Sequence, residues 1–134
     1  EGDQLIQAKI SNGEDSIIMA TKEGKSIRFL ENQVRPTGRR TKGVRGIMLA
    51  DSDEVIGMLI AKREGSVLVA SENGYGKRSA LDEYRIQSRG GKGVYTMKKT
   101  HKTGKLISIL EKLYLYCGKY HFFFQEFVIQ YLLC

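Results

Sequence analysis

The chain has 134 residues with 41% hydrophobic content, which is enough for one modest core, and its single Pro excludes a proline-rich disordered chain. Its 22 Lys and Arg outnumber 15 Asp and Glu, and the net charge of +7 is typical of a protein with an acidic partner. The two cysteines, Cys117 and Cys134, are too few and too close to the end for a disulfide framework or a metal site. We therefore expect an intracellular protein with no bound metal.

The predicted elements begin with Gln4–Ile10, an apolar, strand-like run with no signal peptide before it. We therefore expect residues 1–12 to be the end of a preceding repeat in a longer protein. Ser16–Thr21 is rich in Ile and is followed by the turn sequence KEGK, which is typical of a hairpin. The other predicted strands before residue 62 are Val44–Leu49 and Glu54–Ala61.

A second set of strands begins at Ser66–Ser71, which is followed by the Gly-bearing hairpin turn ENGYGK. The pattern of Arg78–Tyr84 fits either a strand or a short turn. Two later runs, Val94–Lys98 and Lys105–Leu110, have the length and composition of strands. No stretch before residue 110 has a convincing helical period, so the sequence predicts an all-β fold.

The two sets of strands are copies of one unit. Residues 14–49 laid over residues 64–99 bring ten identical residues into register. The first-unit members of these pairs are Glu14, Ser16, Ala20, Gly24, Arg28, Arg35, Arg39, Lys42, Gly43 and Val44. About four strands in roughly fifty residues is the size of one propeller blade, so the repeat predicts blades that stack on one another.

This repeat divides the chain into four parts: residues 1–12, the unit 13–62, the unit 63–110 and the tail 111–134. The tail differs from both units because eight of its 24 residues are Tyr or Phe and Gly nearly disappears. Charged and polar residues interrupt its apolar run, so we do not expect a membrane-spanning helix. The tail either forms a helix that packs on the sheets or, as we prefer, is not native to the domain.

Positive charge is concentrated at the same place in each unit. Residues 32–50 contain five Lys and Arg and no acid, and residues 85–105 contain seven and no acid. Within these stretches lie two related runs, TGRRTKG at Thr37–Gly43 and QSRGGKG at Gln87–Gly93. An ordinary surface mixes its charges, so a recurring basic run favours a polyanion as the partner.

The residue types of QSRGGKG suit contact with a phosphate. Gly90 and Gly91 remove side chains so that backbone N–H groups can approach phosphate oxygens, while Arg89 and Lys92 supply positive charge. Such contacts position a duplex and do not read its bases, so we expect binding that is independent of sequence. The alternative for the two glycines is a tight turn between strands, which is compatible with the same contacts.

Three segments resemble the C-terminal domain of DNA gyrase A, in the order and spacing found in that family. They are ENQVRPTGRRTKGVRGI, VLVASENGYGKRSALDEY and QSRGGKGV, and the resemblance covers residues 3–110. QSRGGKG is similar to the family's sequence box QRRGGKG, with Ser88 in place of an arginine. It is therefore either the box itself or a box-like loop of a later blade.

The resemblance implies a β-pinwheel, in which blades of four antiparallel strands form a propeller-like structure whose basic rim wraps double-stranded DNA. The chain would be an incomplete fragment of about two to two and a half blades. Its other partners would be the rest of gyrase A and the gyrase B protein, in the bacterial cytoplasm at the nucleoid, with no membrane. The whole enzyme is an ATP-dependent type II topoisomerase that uses ATP and Mg²⁺ for negative supercoiling, whereas this fragment would need no cofactor.

Carried over position by position, the family box predicts a DNA-wrapping loop. Its residues are Gln87, Ser88, Arg89, Gly90, Gly91, Lys92 and Gly93. The further basic candidates for DNA contact are Arg39, Arg40, Lys42, Arg45, Lys77 and Arg78. For Lys77 and Arg78, the end of a solvated hairpin is at least as good an interpretation.

Catalysis by this chain is not favoured. His101 and His121 have no acid or cysteine at the spacing of a triad or a metal site. The Gly- and Lys-bearing runs lack the order GxxxxGK[ST] of a nucleotide-binding loop. Tyr84 and Tyr95 lie in strand-like runs, where packing is the expected role, and the resemblance places the cleavage tyrosine of the family outside this chain. We expect no catalytic and no metal-binding residues.

Two other functions fit part of the pattern. The equivalent domain of topoisomerase IV is similar to the gyrase domain but has a degraded box, so the near-intact RGGKG favours gyrase. A propeller that binds protein partners would have no reason to concentrate cations at one recurring loop.

Overall fold

The computed structural model describes residues 4–61 and 65–113. Its strands are β1 (Ser16–Thr21), β2 (Lys25–Leu30), β3 (Val55–Ala61), β4 (Gly65–Ser71), β5 (Gly76–Ala80), β6 (Val94–Tyr95) and β7 (Leu106–Leu113). Short 3-10 turns follow β2 at Glu31–Gln33 and β5 at Leu81–Glu83. The described residues contain no α-helix, so the predicted all-β fold is confirmed. Residues 114–134, which make up most of the predicted tail, lie outside the described residues.

The strands form two antiparallel sheets built on the same plan. The first has the order β3-β1-β2-β6 and the second the order β5-β4-β7. In the first, Ile18 of the central strand lies opposite Arg28 and Leu59. In the second, Leu68 lies opposite Arg78 and Leu110 in the equivalent register. The repeat found in the sequence is therefore a repeat of strand pairing, and both predicted hairpins, β1-β2 and β4-β5, are confirmed.

β6 joins the two units, because it belongs to the second unit in sequence but pairs with the first unit's sheet. Val94 lies opposite Ser26, and Tyr95 lies opposite Lys25 of β2. Beyond β6, the backbone N–H groups of Thr96 and Met97 both donate to the Gly24 carbonyl in the β1-β2 turn. The fourth strand of the first blade is thus supplied by the following repeat.

The main core lies between the two sheets. One face of the first sheet contributes Ile18 and Leu59, and the facing side of the second contributes Val67, Val69 and Ile109, all of them buried. Along β4, Val67 and Val69 are buried while Leu68 between them is exposed, which is the pattern of a sheet packed on one face. Burial of these side chains at about 25 cal/mol per Å² fixes the two blades against each other.

A second apolar cluster covers the other face of the first sheet. Its strands contribute Ile17, Ile27, Phe29 and Ile60. Ile47 comes from the segment that follows Thr37–Gly43, called here the first basic loop. Ile47 is 5% exposed, so this segment is fixed by packing although it is not a strand. The equivalent residue of the second unit, Met97, packs in the same way against the main core.

Three strand predictions need correction. Val44–Leu49 is not a strand, because its second-unit counterpart, β6, pairs with the edge of a preceding blade, and no such edge is present in the described part of the chain. Gln4–Ile10 is irregular. Among the described residues it has one hydrogen bond to a strand, in which the Met58 N–H of β3 donates to Gln7 Oε1 at 2.8 Å. The predicted strand Val94–Lys98 ends at Tyr95, where the chain meets the hairpin turn.

Two further predictions on elements are refined. Arg78–Tyr84 is both of the alternatives, since β5 ends at Ala80 and the 3-10 turn follows. Lys105–Leu110 is a strand, and β7 extends it to Leu113. Over residues 4–61 and 65–113 no helix has the length and apolar character needed to span a membrane.

Candidate nucleic-acid interface

The run Gln87–Gly93, called here the box loop, lies along the outer edge of the first sheet. It begins where the Gln87 N–H donates to the Arg28 carbonyl of β2 at 2.7 Å, and it leads directly into β6 on the same edge. A loop of the second unit is therefore held on the first blade. Residues that the sequence places far apart become neighbours at this edge.

The glycines of the box loop allow its backbone to lie close to β2. Gly93 has a φ of +67°, and a Cβ at this position would lie 2.6 Å from the Ser26 carbonyl oxygen. Gly90 also has a positive φ, of +78°. Gly93 is therefore suited to Gly alone, for reasons of both conformation and space, whereas the φ of Gly90 favours Gly without requiring it, since Arg40 of the first unit has a φ of +66°.

The amide groups of the two central glycines are occupied within the protein. The Gly90 N–H donates to the Gly46 carbonyl at 2.7 Å, and the Gly91 N–H donates to the Ser88 carbonyl at 3.3 Å. The Gly91 carbonyl in turn accepts from the Met48 N–H at 2.9 Å. These two amides are therefore used within the protein, which agrees with the alternative of a tight turn, and contact of this loop with phosphate stays a prediction.

Arg89 is the residue that attaches the box loop to the first unit. Its backbone N–H donates to Gln33 Oε1 at 2.7 Å, and its guanidinium Nε donates to the Gln33 carbonyl at 2.9 Å. A third bond, from Nη1, reaches the Arg45 carbonyl at 2.7 Å. Much of the donor capacity of this side chain is used inside the protein, a role that a charge pattern does not reveal.

Lys92 is the cation of the box loop that remains available. Its side chain is exposed, and its ammonium has no hydrogen bond or ion pair with any described residue. Ser88 is exposed as well, while Gln87 is half-buried. Arg45 adds a second exposed cation next to the loop, since its carbonyl accepts from Arg89.

The first basic loop is exposed throughout. Arg39, Arg40 and Lys42 make no hydrogen bond with the box loop in the described part of the chain, although Arg45 is brought beside it. A hydrogen bond from Thr41 Oγ1 to the Gly38 carbonyl, at 2.6 Å, closes a turn inside this loop. By analogy with the box loop, which lies on the edge of the first sheet, this loop would lie on the edge of a preceding blade.

Lys77 and Arg78 lie on β5, a strand of the second sheet. Lys77 Nζ is 3.4 Å from the Thr96 carbonyl, and Arg78 Nε donates to Ser66 Oγ at 2.9 Å. Arg78 repeats the contact of Arg28, whose Nε donates to Ser16 Oγ at 2.9 Å. The interpretation of Arg78 as a structural residue of the hairpin therefore gains support from a contact.

Arg28 is a structural side chain that the sequence identified as part of the repeat without giving it a role. Its Nη1 donates to the carbonyls of Leu81 and Tyr84, at 3.1 and 3.2 Å, and so joins the first blade to the second unit's 3-10 turn. Burial lowers the pKa of Arg28, with a smaller opposing effect from the charge of Asp82. The sequence signal for this role was that both repeats have an arginine at this position, Arg28 and Arg78.

The acids of the hairpin turns are paired. The Asp53 carboxylate accepts from the Glu23 N–H at 3.0 Å, and Glu72 Oε1 accepts from the Lys105 N–H at 2.7 Å. Glu23 also forms an ion pair with Lys99 at 2.6 Å. These hydrogen bonds hold the turn end of the blades together, and the ion pair with Lys99 compensates the charge of Glu23.

The two strand tyrosines differ in role. Tyr84 is 5% exposed and its hydroxyl is 2.6 Å from Thr96 Oγ1, so the prediction of packing is confirmed for this residue. Burial raises the pKa of Tyr84, with a smaller opposing effect from its hydrogen bonds. Tyr95 is 57% exposed, so the same prediction is wrong there. His101 is exposed in a loop, and His121 lies outside the described residues.

Two interlocked all-β blades with a basic loop fixed on an outer edge define a propeller-type domain. The family model of the DNA gyrase C-terminal domain, a beta-propeller, matches residues 15–62 and 65–110. The chain therefore belongs to the DNA gyrase C-terminal domain family, as the resemblance in the sequence predicted.

Curated relatives give the same result. The chain is 40% identical over 111 residues to DNA gyrase A of Escherichia coli (strain K12), which covers 83% of this chain and 13% of the relative. It is 41% identical over 111 residues to DNA gyrase A of Staphylococcus aureus (strain MRSA252), covering 81% of this chain and 12% of the relative. The chain thus spans about an eighth of the length of these bacterial proteins.

Two solved structures share the fold. The C-terminal domain of DNA topoisomerase IV matches with a TM-score of 0.77 at 23% identity, over 84% of this chain and 36% of that one. The DNA gyrase A C-terminal domain matches with a TM-score of 0.63 at 26% identity, over 78% of this chain and 33% of that one. The predicted β-pinwheel class is confirmed, and the chain corresponds to about a third of such a domain.

Proposed function

We propose that the chain binds double-stranded DNA, without preference for base sequence, along the outer edge of the first sheet. In the parent protein this edge would be part of a basic rim that wraps the duplex and supports ATP-dependent negative supercoiling by a bacterial type II topoisomerase. The fragment would bind and bend DNA without catalysing a reaction. ATP hydrolysis would belong to gyrase B and strand cleavage to the remainder of gyrase A, in the cytoplasm at the nucleoid.

The observation that carries this proposal is the way in which the box loop is held. Backbone and Arg89 bonds attach this loop of the second unit to the first unit, and Lys92 remains exposed at its surface with no acidic partner among the described residues. A cation on a fixed backbone loses less conformational freedom on binding than one on a loose segment. Neutralisation of phosphates by such cations supplies most of the affinity of sequence-independent binding.

The shape of this edge supports contact with the DNA backbone and not with base edges. The described part of the chain offers strands and tight loops at the edge, and it contains no α-helix that could enter a major groove. Specificity would then arise from how readily a duplex bends along the rim. Other candidates for the path are Gln87, Ser88, Arg39, Arg40, Lys42, Arg45, Lys77 and Arg78.

A salt titration of the 134-residue chain with labelled mixed-sequence duplexes tests the proposal. For contacts with about four to six phosphates, log K should fall against log salt concentration with a slope of about −4 to −5. Duplexes of different sequence should bind alike. A salt-independent affinity, or strong preference for one sequence, would contradict the proposal.

A pair of variants locates the contact. Lys92→Ala should weaken binding and reduce the slope by about one, as expected when one phosphate contact is lost. Lys9→Ala is the control, because Lys9 is exposed beside Gln7, which contacts β3 at the opposite edge of the first sheet. Equal behaviour of the two variants would place the DNA elsewhere.

Gyrase is favoured over topoisomerase IV as the parent enzyme by sequence. The relatives at 40% and 41% identity are gyrase A proteins, whereas the topoisomerase IV domain is similar in fold at 23% identity. A protein-binding propeller predicts no DNA complex and a partner insensitive to salt, so the titration also separates this alternative.

A further inference from the structure

Tyr95 stands next to the box loop on the same outer edge. It lies on β6, directly after the loop, and is 57% exposed. Its hydroxyl forms no hydrogen bond with any other residue in the described part of the chain, in contrast to the buried hydroxyl of Tyr84. An exposed phenol on a basic edge has a free donor and a rigid ring to offer a ligand.

Lys25 is paired with Tyr95 across the two strands. The two residues lie opposite each other in the β2-β6 register, and Lys25 Nζ is 5.6 Å from the centre of the ring. The ammonium therefore occupies one face of the ring in a cation–π contact. The hydroxyl and the ammonium are both hydrogen-bond donors, so together they suit an anionic group.

The edge continues the path that starts at Lys92. Gly93, whose φ is +67°, and Val94 separate Lys92 from Tyr95, so the two residues lie within about 11 Å of each other, the span of three extended residues. Lys98 follows Tyr95 in the sequence and is exposed, whereas the neighbouring Lys99 is paired with Glu23. Exposed cations thus precede and follow Tyr95 on this stretch of the chain.

The acids near this line are Glu23 and Glu72, which line an open cavity of about 700 Å³ together with Tyr95, Lys98 and Lys99. Glu23 is neutralised by Lys99 at 2.6 Å, and Glu72 accepts the Lys105 N–H at 2.7 Å. Among the described residues, the charge of Glu23 is therefore offset locally and that of Glu72 is not, so the lysines Lys25 and Lys98 outnumber the one uncompensated acid beside Tyr95.

We propose that Lys25, Tyr95 and Lys98 form a second phosphate-contact patch, which receives the backbone of the same duplex next to the Lys92 contact. The inference rests on the proposed function and adds residues to it that were absent from the candidates drawn from the sequence. Tyr95 donates its hydroxyl to a phosphate oxygen, and the ammonium groups of Lys25 and Lys98 neutralise the charge.

Lysine acetylation of the unmutated 134-residue chain, read by mass spectrometry with and without a mixed-sequence duplex, tests the patch directly. Lys25, Lys98 and Lys92 should be acetylated several-fold more slowly when DNA is bound, and Lys9 should be unaffected. Protection of Lys92 without protection of Lys25 and Lys98 would overturn this inference and leave the proposed function standing. If none of the three is protected, both fail.

Tyr95→Phe isolates the hydroxyl, because the ring and its contact with Lys25 are retained. Loss of one hydrogen bond to a charged acceptor should weaken duplex binding roughly tenfold with an unchanged salt slope. Tyr84→Phe is the matched control, in which a buried hydroxyl is removed and binding by the folded protein should be unchanged. Unaltered affinity of Tyr95→Phe would contradict the phosphate contact, and enhanced binding to single strands would indicate base stacking instead.

Discussion

Arg89 and Gln33 are 56 residues apart in the sequence and are joined by two hydrogen bonds, one to the amide side chain and one to the backbone carbonyl of Gln33. Gln33 ends the 3-10 turn of the first unit, and Arg89 lies in the box loop of the second. The pair therefore fixes the loop that we propose to face DNA on the blade that precedes it. It makes Arg89 a positioning residue, with Lys92 as the cation that contacts phosphate.

Substitution of Arg89 should test this division of roles. Arg89→Lys cannot reproduce the planar fork that reaches the Gln33 and Arg45 carbonyls, so we expect the free energy of unfolding to fall by about 1–3 kcal/mol. Urea unfolding at neutral pH measures the loss. Lys92→Ala should change stability by less than about 0.5 kcal/mol, because the side chain has no described partner.

The salt slope of DNA binding completes that test. Arg89→Lys retains the positive charge and should keep the slope close to that of the unmutated chain, while Lys92→Ala reduces it. If Arg89→Lys were as stable as the unmutated protein, or if it lost slope as Lys92→Ala does, Arg89 would be a direct phosphate ligand and not a positioning residue.

The repeat supplies a matched pair of glycines for a second prediction. Gly93→Ala adds a methyl group 2.6 Å from the Ser26 carbonyl at a positive φ, so we expect a loss of stability of about 1–3 kcal/mol and detachment of β6. Gly43→Ala, at the equivalent position of the first unit, meets nothing within 4 Å and should be close to neutral. Thermal unfolding of both variants would show the difference, and equal melting temperatures would contradict the role assigned to Gly93.

Part of the fold could be predicted from the sequence, and part could not. The repeat, β1, β4 and both hairpins could be predicted because they depend on local patterns of β-branched residues and turn glycines. Val44–Leu49 and Val94–Lys98 have similar patterns but different structures, because a strand at that position needs an edge from the preceding blade. Pairing between repeats is non-local. The local sequence of one repeat therefore does not show whether the strand edge with which it would pair is present.

The candidate site was predictable in position and less so in mechanism. The recurring basic run located the box loop, and Lys92 is exposed there as expected. A charged residue type does not reveal whether its donors are already used, so the structural role of Arg89 was hidden. Tyr95 was missed for a related reason: a strand of two residues at a sheet edge need not bury the side chains that its pattern assigns to packing.

Tyr84 makes the free energy of unfolding depend on pH in the alkaline range. Burial raises its pKa above the ordinary value of 10.0, so the unfolded chain loses this proton at a lower pH than the folded chain does. The associated stability is fully present below about pH 10 and is lost as the pH rises through the folded pKa. Urea unfolding of the unmutated chain and Tyr84→Phe as a function of pH measures the effect.

The variant should be less stable at neutral pH, because Thr96 loses its buried partner, and its stability should fall less steeply with rising pH. The remaining tyrosines are common to both proteins, so their difference reports Tyr84 alone. Parallel pH profiles would show that Tyr84 does not resist ionisation in the folded protein.

The last prediction concerns the parent enzyme and separates wrapping from adhesion. A basic patch that only holds DNA is indifferent to the sign of supercoiling, whereas loops fixed at each blade edge would bend the duplex with one handedness. Gly93→Ala loosens the edge while keeping every cation. We expect it to reduce negative supercoiling more than relaxation of supercoiled DNA, since relaxation needs only cleavage and strand passage. Lys92→Ala should instead weaken DNA binding in both reactions, to an extent that is largest at low salt and falls as the salt concentration rises. Supercoiling and relaxation assays on the two variants compare these outcomes. Equal loss of both activities in Gly93→Ala would show that the geometry of this loop does not set the direction of the wrap.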